Sequence, residues 1–298
     1  MYKILILFDA PGWAYHFRAL ALKKYKPVDF SIVDISSRYG MELKKCNYDL
    51  VFQLAYSYVK PVREHLQKNK YKCKLISSYN IGYNHNNSWL DSTIKYSDAV
   101  IINNFEMWDK SGRRPNTYHI SNGVDSFVYH VKIPYEQRRF KALWVGSKFH
   151  RKVKNYDNIL IPLSRELNRR KILTDFKLVN STGHERLSSD KMCDWYNTGQ
   201  CYVVASTAEG TPNPMLESAA CGLPIVSTKV GNAPELIKDG YNGYLCERTV
   251  QSLLDGVLKV QQRKEEMSKN ILESIKSWDW SIRSKEFFDL FRKVINNK

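Results

Sequence analysis

The chain has 298 residues, 43% hydrophobic and 26% charged, which is the make-up of a globular protein long enough for two hydrophobic cores. That excludes a disordered chain, a collagen-like repeat and a disulfide miniprotein. Lys+Arg outnumber Asp+Glu by 46 to 30, a net charge of +16, which suits a polyanionic partner: nucleic acid, anionic lipid or a phosphorylated substrate.

From the N-terminus, the apolar run stops at Asp9, too short for a signal peptide, and nowhere does an apolar stretch reach membrane-spanning length. A soluble or at most peripheral cytoplasmic protein is expected. Strand-like apolar runs follow at 3–8, 30–35, 50–55, 74–78, 99–103 and 117–120. Helical patterns lie between them: one after Gly12, with Trp13, Phe17 and Leu20 on its apolar face, then 38–45, 59–70, 87–97 and 105–110. The polar segment 125–139 interrupts this series and contains Pro134. The pattern then restarts with strands at 142–146, 176–180, 202–205 and 224–227 and helices at 155–171, 215–221 and 250–264. Alternating strands and helices imply parallel sheets covered on both faces. The expected organisation is α/β, with a first domain at 1–130, a second at 131–280, and a last amphipathic helix at about 281–298 packing back on the first. Two such domains face to face would put a ligand in the cleft between them, beyond the strand ends. None of Cys46, Cys73, Cys193, Cys201, Cys221 and Cys246 forms a Cys-x-x-Cys pair, and no histidine pair has zinc spacing. Buried free thiols and no metal centre are expected.

Residues 205–245 carry the most chemistry. A strand ends near Thr207 and a glycine turn at Gly210 follows. Thr211 is expected to cap a helix, with Pro212 in its first position, Cys221 at its end and Gly222 beyond. A helix N-terminus at the carboxyl end of a strand presents backbone amides to an anion, which nominates the amides of Thr211 through Met215, including Asn213 and the stretch around Pro214. Glu209 and Glu217 flank this site. Carboxylates would repel a phosphate, so they are expected to accept hydrogen bonds from sugar or ribose hydroxyls.

This string resembles the donor-site signature of the retaining family 4 glycosyltransferases (glycosyl transferases group 1), which have the GT-B fold of two doubly wound Rossmann-like domains facing a central cleft. Glu209 and Glu217 match the Glu-x7-Glu motif. Gly210, the run Ala219-Ala220-Cys221-Gly222-Leu223-Pro224, Gly231-Asn232-Ala233-Pro234-Glu235 and Asp239-Gly240-Tyr241-Asn242-Gly243 match its surroundings. Ser121-Asn122-Gly123-Val124-Asp125 is similar to the turn that ends the family's first domain. Trp144-Val145-Gly146 followed by Lys154-Asn155 is similar to the strand, glycine and basic pair that hold the donor's diphosphate. The family usually has Arg directly after that glycine; here Ser147 stands there, with Lys148 or Arg151 as its replacement. Gly12 matches the glycine-containing loop after the first strand. The family often has a histidine after the fourth strand, where this chain reads Ser78-Tyr79-Asn80; His85 and His16 are the nearest candidates.

The resemblance implies a metal-independent, retaining hexosyl- or pentosyltransferase. Its co-substrate would be a nucleotide sugar such as a UDP- or GDP-sugar, with no further cofactor. The first domain would bind a glycan, lipid-linked or other hydroxyl acceptor and the second the donor. Lys154, with Lys148 or Arg151, would stabilise the diphosphate, Glu209 the sugar hydroxyls and Glu217 the ribose. The positive charge divides accordingly. Residues 131–170 have 11 basic and 3 acidic residues, and 38–74 have 9 and 3. Lys68, Lys70, Lys72 and Lys74, read as alternate positions entering a strand, would point to one side and offer a basic face to an anionic membrane surface, on the inner face of the membrane, or to nucleic acid. Other readings are a transferase acting on a DNA base, a nucleic-acid-binding protein without transferase activity, and a nucleotide-sugar epimerase or phosphorylase.

Overall fold

The structure is a computed structural model that describes residues 1–37, 43, 47–80, 87–180 and 187–297. The helix expected over 38–45 (apart from Leu43), Cys46 and His85 lie outside the described residues. The chain divides into two compact units, Met1–Gly123 with Trp280–Lys298, and Val124–Asp279. The change of unit falls at 123/124 rather than at 130/131. Val124 belongs to the second unit because its N–H donates to the Trp278 carbonyl at 2.9 Å and it forms a parallel bridge with Asp279.

The first unit runs β1 (Tyr2–Leu7), α1 (Ala14–Lys24), β2 (Phe30–Ser36), β3 (Leu50–Gln53), α2 (Val59–Lys68), β4 (Lys74–Tyr79), α3 (Asn87–Tyr96), β5 (Ala99–Ile102), α4 (Phe105–Lys110) and β6 (Thr117–His119). All six strands are parallel, in the order β2-β1-β3-β4-β5-β6. Ile4, Leu5, Ile6 and Leu7 are all buried, the continuous apolar run of a strand covered on both faces. Ile4 and Ile6 pack with Ala19 and Leu22 of α1, while Leu5 and Leu7 pack with Val59, Val62 and Leu66 of α2.

The second unit runs β7 (Lys141–Ser147), α5 (Ile161–Arg169), β8 (Leu173–Val179), α6 (Ser189–Tyr196), β9 (Cys201–Val204), α7 (Asn213–Ala220), β10 (Ile225–Thr228), α8 (Ala233–Leu236), β11 (Gly243–Cys246), α9 (Val250–Gln262) and α10 (Lys264–Ile275). The helix expected from 155 begins instead with a wide π turn over Tyr156–Leu160, entered through Asn155 at φ 52°. The sheet order is β11-β10-β9-β7-β8, again parallel. Its connections reverse direction between β7 and β9, the switch point where doubly wound sheets open a crevice. These strands pair only at Ala142 with Cys201 and Leu143 with Tyr202. Further on, the Tyr202 hydroxyl fills the gap, 3.3 Å from both the Val145 nitrogen and oxygen.

The last helix, α11 (Trp280–Asn296), is part of the first unit. Phe287, Phe288 and Phe291 enter the core beside Phe30 and Phe52, and Arg292 holds Asp29 at 2.6 and 2.8 Å. These rings change the face that α1 buries. Phe17 and Leu20, expected inward, are 43% and 40% exposed, and Arg18, Ala19, Ala21 and Leu22 are buried instead. Small alanines fit against α11, and the Arg18 guanidinium lies 4.8 Å from the Phe287 ring centre.

Candidate active site at the switch point of the second unit

Two loops leave the switch point, one after β7 and one after β9, and they are fastened to each other. Asn155 donates from Nδ2 to the Ala205 carbonyl at 2.7 Å, and the Thr207 N–H donates to the Val153 carbonyl at 2.8 Å. The left-handed backbone at Asn155 turns the first loop back towards the second. This brings Lys154 onto Glu209, an ion pair between Nζ and Oε1 with side chains only 19% and 11% exposed. The Ser206 hydroxyl donates to the same carboxylate oxygen at 2.6 Å. The half-buried carboxylate and ammonium thus find in each other the polar partner that bulk water would otherwise supply. His150 borders the pair. Burial first, and the positive Lys154 next, push its pKa below the usual histidine value, while Glu209 opposes them.

The other expected cations are placed differently. Arg151 is exposed, ion-paired with Asp157 and stacked 5.3 Å from the Tyr156 ring centre. Lys148 is exposed on a short 3-10 turn. Ser147 caps that turn, its hydroxyl accepting from the Phe149 N–H at 3.2 Å. Gly146 is required by its neighbour, since a Cβ there would lie 2.4 Å from the Trp144 ring.

The helix α7 begins at Asn213, with Pro212 as its cap and Pro214 in the first turn. Thr211 was expected to cap it; its hydroxyl is instead bonded to the Asn232 side chain. Four of the five nominated amides are accounted for. Pro212 and Pro214 have no N–H, and those of Asn213 and Met215 donate to the carbonyls of Thr211 and Pro212 at 2.9 and 2.8 Å. The helix terminus is therefore a poorer anion site than its sequence suggests. At the far end Cys221 is the C-cap and Gly222, at φ 83°, follows it. The N–H of Leu223 reaches Ser218 O and that of Gly222 reaches Ala219 O, the paired bonds of a Schellman stop. The later part of the motif supports the earlier part. Gly231, at φ 52°, lies so close that a Cβ would be 2.5 Å from the Gly210 carbonyl oxygen and 3.0 Å from Glu209 Cβ. Glu217, half-buried on α7, accepts from the Tyr196 hydroxyl at 2.7 Å. Tyr196, Ser206 and His150 carry no site signal in the sequence. Only their packing around the two glutamates reveals them.

In the first unit, Gly12 has φ 80° and donates its N–H to His16 Nδ1 at 2.9 Å, so the glycine loop after β1 fixes the His16 ring, which also stacks on Phe8 at 4.6 Å. His85 lies outside the described residues. The lysines at 68–74 do not share a strand face. Lys68 ends α2, Lys70 sits in a left-handed turn at φ 54°, and only Lys74 is in β4. Its Nζ donates to the Asn297 carbonyl at 2.8 Å. They gather at the amino end of β4, opposite the loops that follow the strands.

Cys73, Cys193, Cys201, Cys221 and Cys246 are all buried. Among the described residues, no group of three His, Cys, Asp or Glu side chains is placed to hold a metal ion, and no helix is long and apolar enough to cross a membrane.

Residues 117–263 match the family model for glycosyl transferases group 1. An uncharacterized glycosyltransferase of Methanocaldococcus jannaschii is 28% identical over 118 residues, 37% of this chain and 34% of that protein. D-inositol 3-phosphate glycosyltransferase 2 of Catenulispora acidiphila is 25% identical over 111 residues, 36% of this chain and 26% of that protein. The chain thus spans about a third or less of the length of these curated relatives. Among solved structures, the sucrose-phosphate synthase of Thermosynechococcus elongatus superposes with a TM-score of 0.74 at 12% identity, over 100% of both chains. HepE of Anabaena, in complex with UDP and glucose, superposes with 0.72 at 13% identity, over 98% of this chain and 100% of that one. The chain therefore has the GT-B fold, and its residues 117–263 place it in resemblance to the group 1 glycosyl transferases.

Proposed function

We propose that this protein is a retaining glycosyltransferase that takes a nucleotide sugar in its second unit and delivers the sugar to a hydroxyl acceptor held by the first. The Lys154–Glu209 pair at the switch point carries this reading, because it places one cation and one hydroxyl acceptor side by side where a doubly wound sheet binds its ligand. Lys154 meets the diphosphate, whose charge grows as the bond from sugar C1 to phosphate oxygen breaks. Glu209, released from Lys154, accepts hydrogen bonds from the sugar hydroxyls. Glu217 accepts from the ribose. The acceptor oxygen attacks C1 from the face the phosphate leaves, and its proton passes to a phosphate oxygen of the leaving group. No protein nucleophile and no metal is required on this course.

UDP-sugars are the first donors to test, since HepE binds UDP and UDP-glucose. The test is a panel of UDP- and GDP-sugars assayed for slow donor hydrolysis and transfer, with the configuration of the new anomeric centre read by NMR. Turnover of one donor with retained configuration, lost in Lys154→Ala and Glu209→Ala, is expected. An inverted product would exclude the retaining course. Turnover equal to wild type in both variants would remove the site.

A further inference from the structure

One feature of the second unit lies behind the donor site rather than in it. Tyr196 is the last residue of α6 and is completely buried. Its ring is packed edge-on against Tyr129 at 6.1 Å and Tyr202 at 6.0 Å, with Trp195 at 5.1 Å. Tyr202 is itself fixed to the β7 backbone through Val145. The Tyr196 hydroxyl thus has a set position, and from it donates to Glu217 Oε2 at 2.7 Å. Burial, and then the negative charge of Glu217, raise the phenol's pKa, so the hydroxyl keeps its proton and acts as the donor. A glutamate on a helix surface normally samples several rotamers; this one is held from beneath by a group that cannot turn to water.

We propose that Tyr196 is a positioning residue for nucleotide recognition, fixing the Glu217 carboxylate so that it accepts from the vicinal hydroxyls of the donor's ribose. This rests on the glycosyltransferase reading above. A carboxylate offers about four lone-pair sites. Tyr196 takes one of them and helps to set the plane of the group against a diol. Without that anchor the carboxylate is less ordered before the ligand arrives, and preorganisation is reduced.

The experiment is a calorimetric comparison of UDP (or GDP, whichever the wild type binds more tightly) with its 2′,3′-dideoxy analogue, which lacks both hydroxyls. The wild type is expected to prefer the ribonucleotide. Tyr196→Phe keeps the ring and removes only the hydroxyl. It should weaken the ribonucleotide about tenfold, the scale of one hydrogen bond to a charged group, and leave the dideoxy analogue unchanged, so that the preference collapses. Glu217→Gln should collapse it too, and the double variant should lose little more. If Tyr196→Phe melts below the assay temperature, Glu217→Asp, which draws the carboxylate away from Tyr196 by one methylene, reads the same ratio.

Equal weakening of both ligands in Tyr196→Phe, or full retention of the preference, would overturn the proposal. A wild type that binds the nucleotide without preferring the ribose would overturn it while leaving the transferase reading intact. A wild type that binds neither UDP nor GDP would overturn both.

Discussion

The two units share a parallel, doubly wound plan but treat charge at the carboxyl edges of their sheets in opposite ways. In the second unit Lys154 and Glu209 neutralise each other, and Tyr196 satisfies one oxygen of Glu217. In the first unit Arg18 is 3% exposed and, among the described residues, its hydrogen-bond partners are neutral, Ser78 Oγ at 3.0 Å and Asn80 Oδ1 at 3.3 Å, together with the Phe52 and Phe287 rings. Its Nε and Nη2, Asn80 Nδ2 and Gln53 Oε1 are buried with no hydrogen-bond partner among the described residues. Desolvation pushes the guanidinium down to about 10. The contrast shows that a shared sheet plan does not dictate the chemistry of its edge. At these edges the second unit pairs its charges, while the first buries a cation at a cost to stability.

The largest expected effect breaks the matched pair. Lys154→Ala removes the cation proposed to meet the leaving diphosphate and should lower kcat by about 10²–10³-fold, measured as donor turnover at saturation. Next comes the backbone support of that pair. Gly231→Ala adds a Cβ against the Gly210 carbonyl at a positive φ, and should destabilise the protein by about 1–3 kcal/mol, seen as a lower urea midpoint with a weaker donor affinity. Arg18→Met sharpens the comparison from the other side. It removes a buried charge while keeping the side-chain length, and should raise stability by about 1 kcal/mol; a drop of that size would show that Arg18 is compensated after all.

The smallest effect is a pH dependence. His150 has a folded pKa lowered below its unfolded value, so the unfolded chain binds the proton more readily. Its contribution to stability is complete above about pH 6.5 and is lost as pH falls through the lower folded value. The acid-side decline in Tm should therefore flatten in His150→Asn.

The string at 205–245 was legible because its parts are local. The strand, glycine turn, helix and Schellman stop are each specified by residues a few positions apart, and the two glutamates lie on them. Resemblance named Lys154 and Glu209 separately, but their ion pair was not legible, since 55 positions separate the two and only the crossing of two loops joins them. Tyr196 gave no signal, because a buried aromatic in a helix pattern looks like core. The inward face of α1 was misread for a related reason. Phe17 and Leu20 form an apolar stripe, but the face that meets the core is decided by α11, more than 250 residues later. The start of α7 was misread because Thr211 found Asn232 as a tertiary partner, which propensity at a helix end cannot anticipate.

The central claim assigns the diphosphate to Lys154 and the sugar to Glu209, and calorimetry with UDP and UDP-glucose separates the two roles. Lys154→Ala should weaken both ligands by the same factor, while Glu209→Gln should weaken UDP-glucose and spare UDP. Wild-type affinity for both ligands in both variants, or loss of UDP binding in Glu209→Gln alone, would contradict the account.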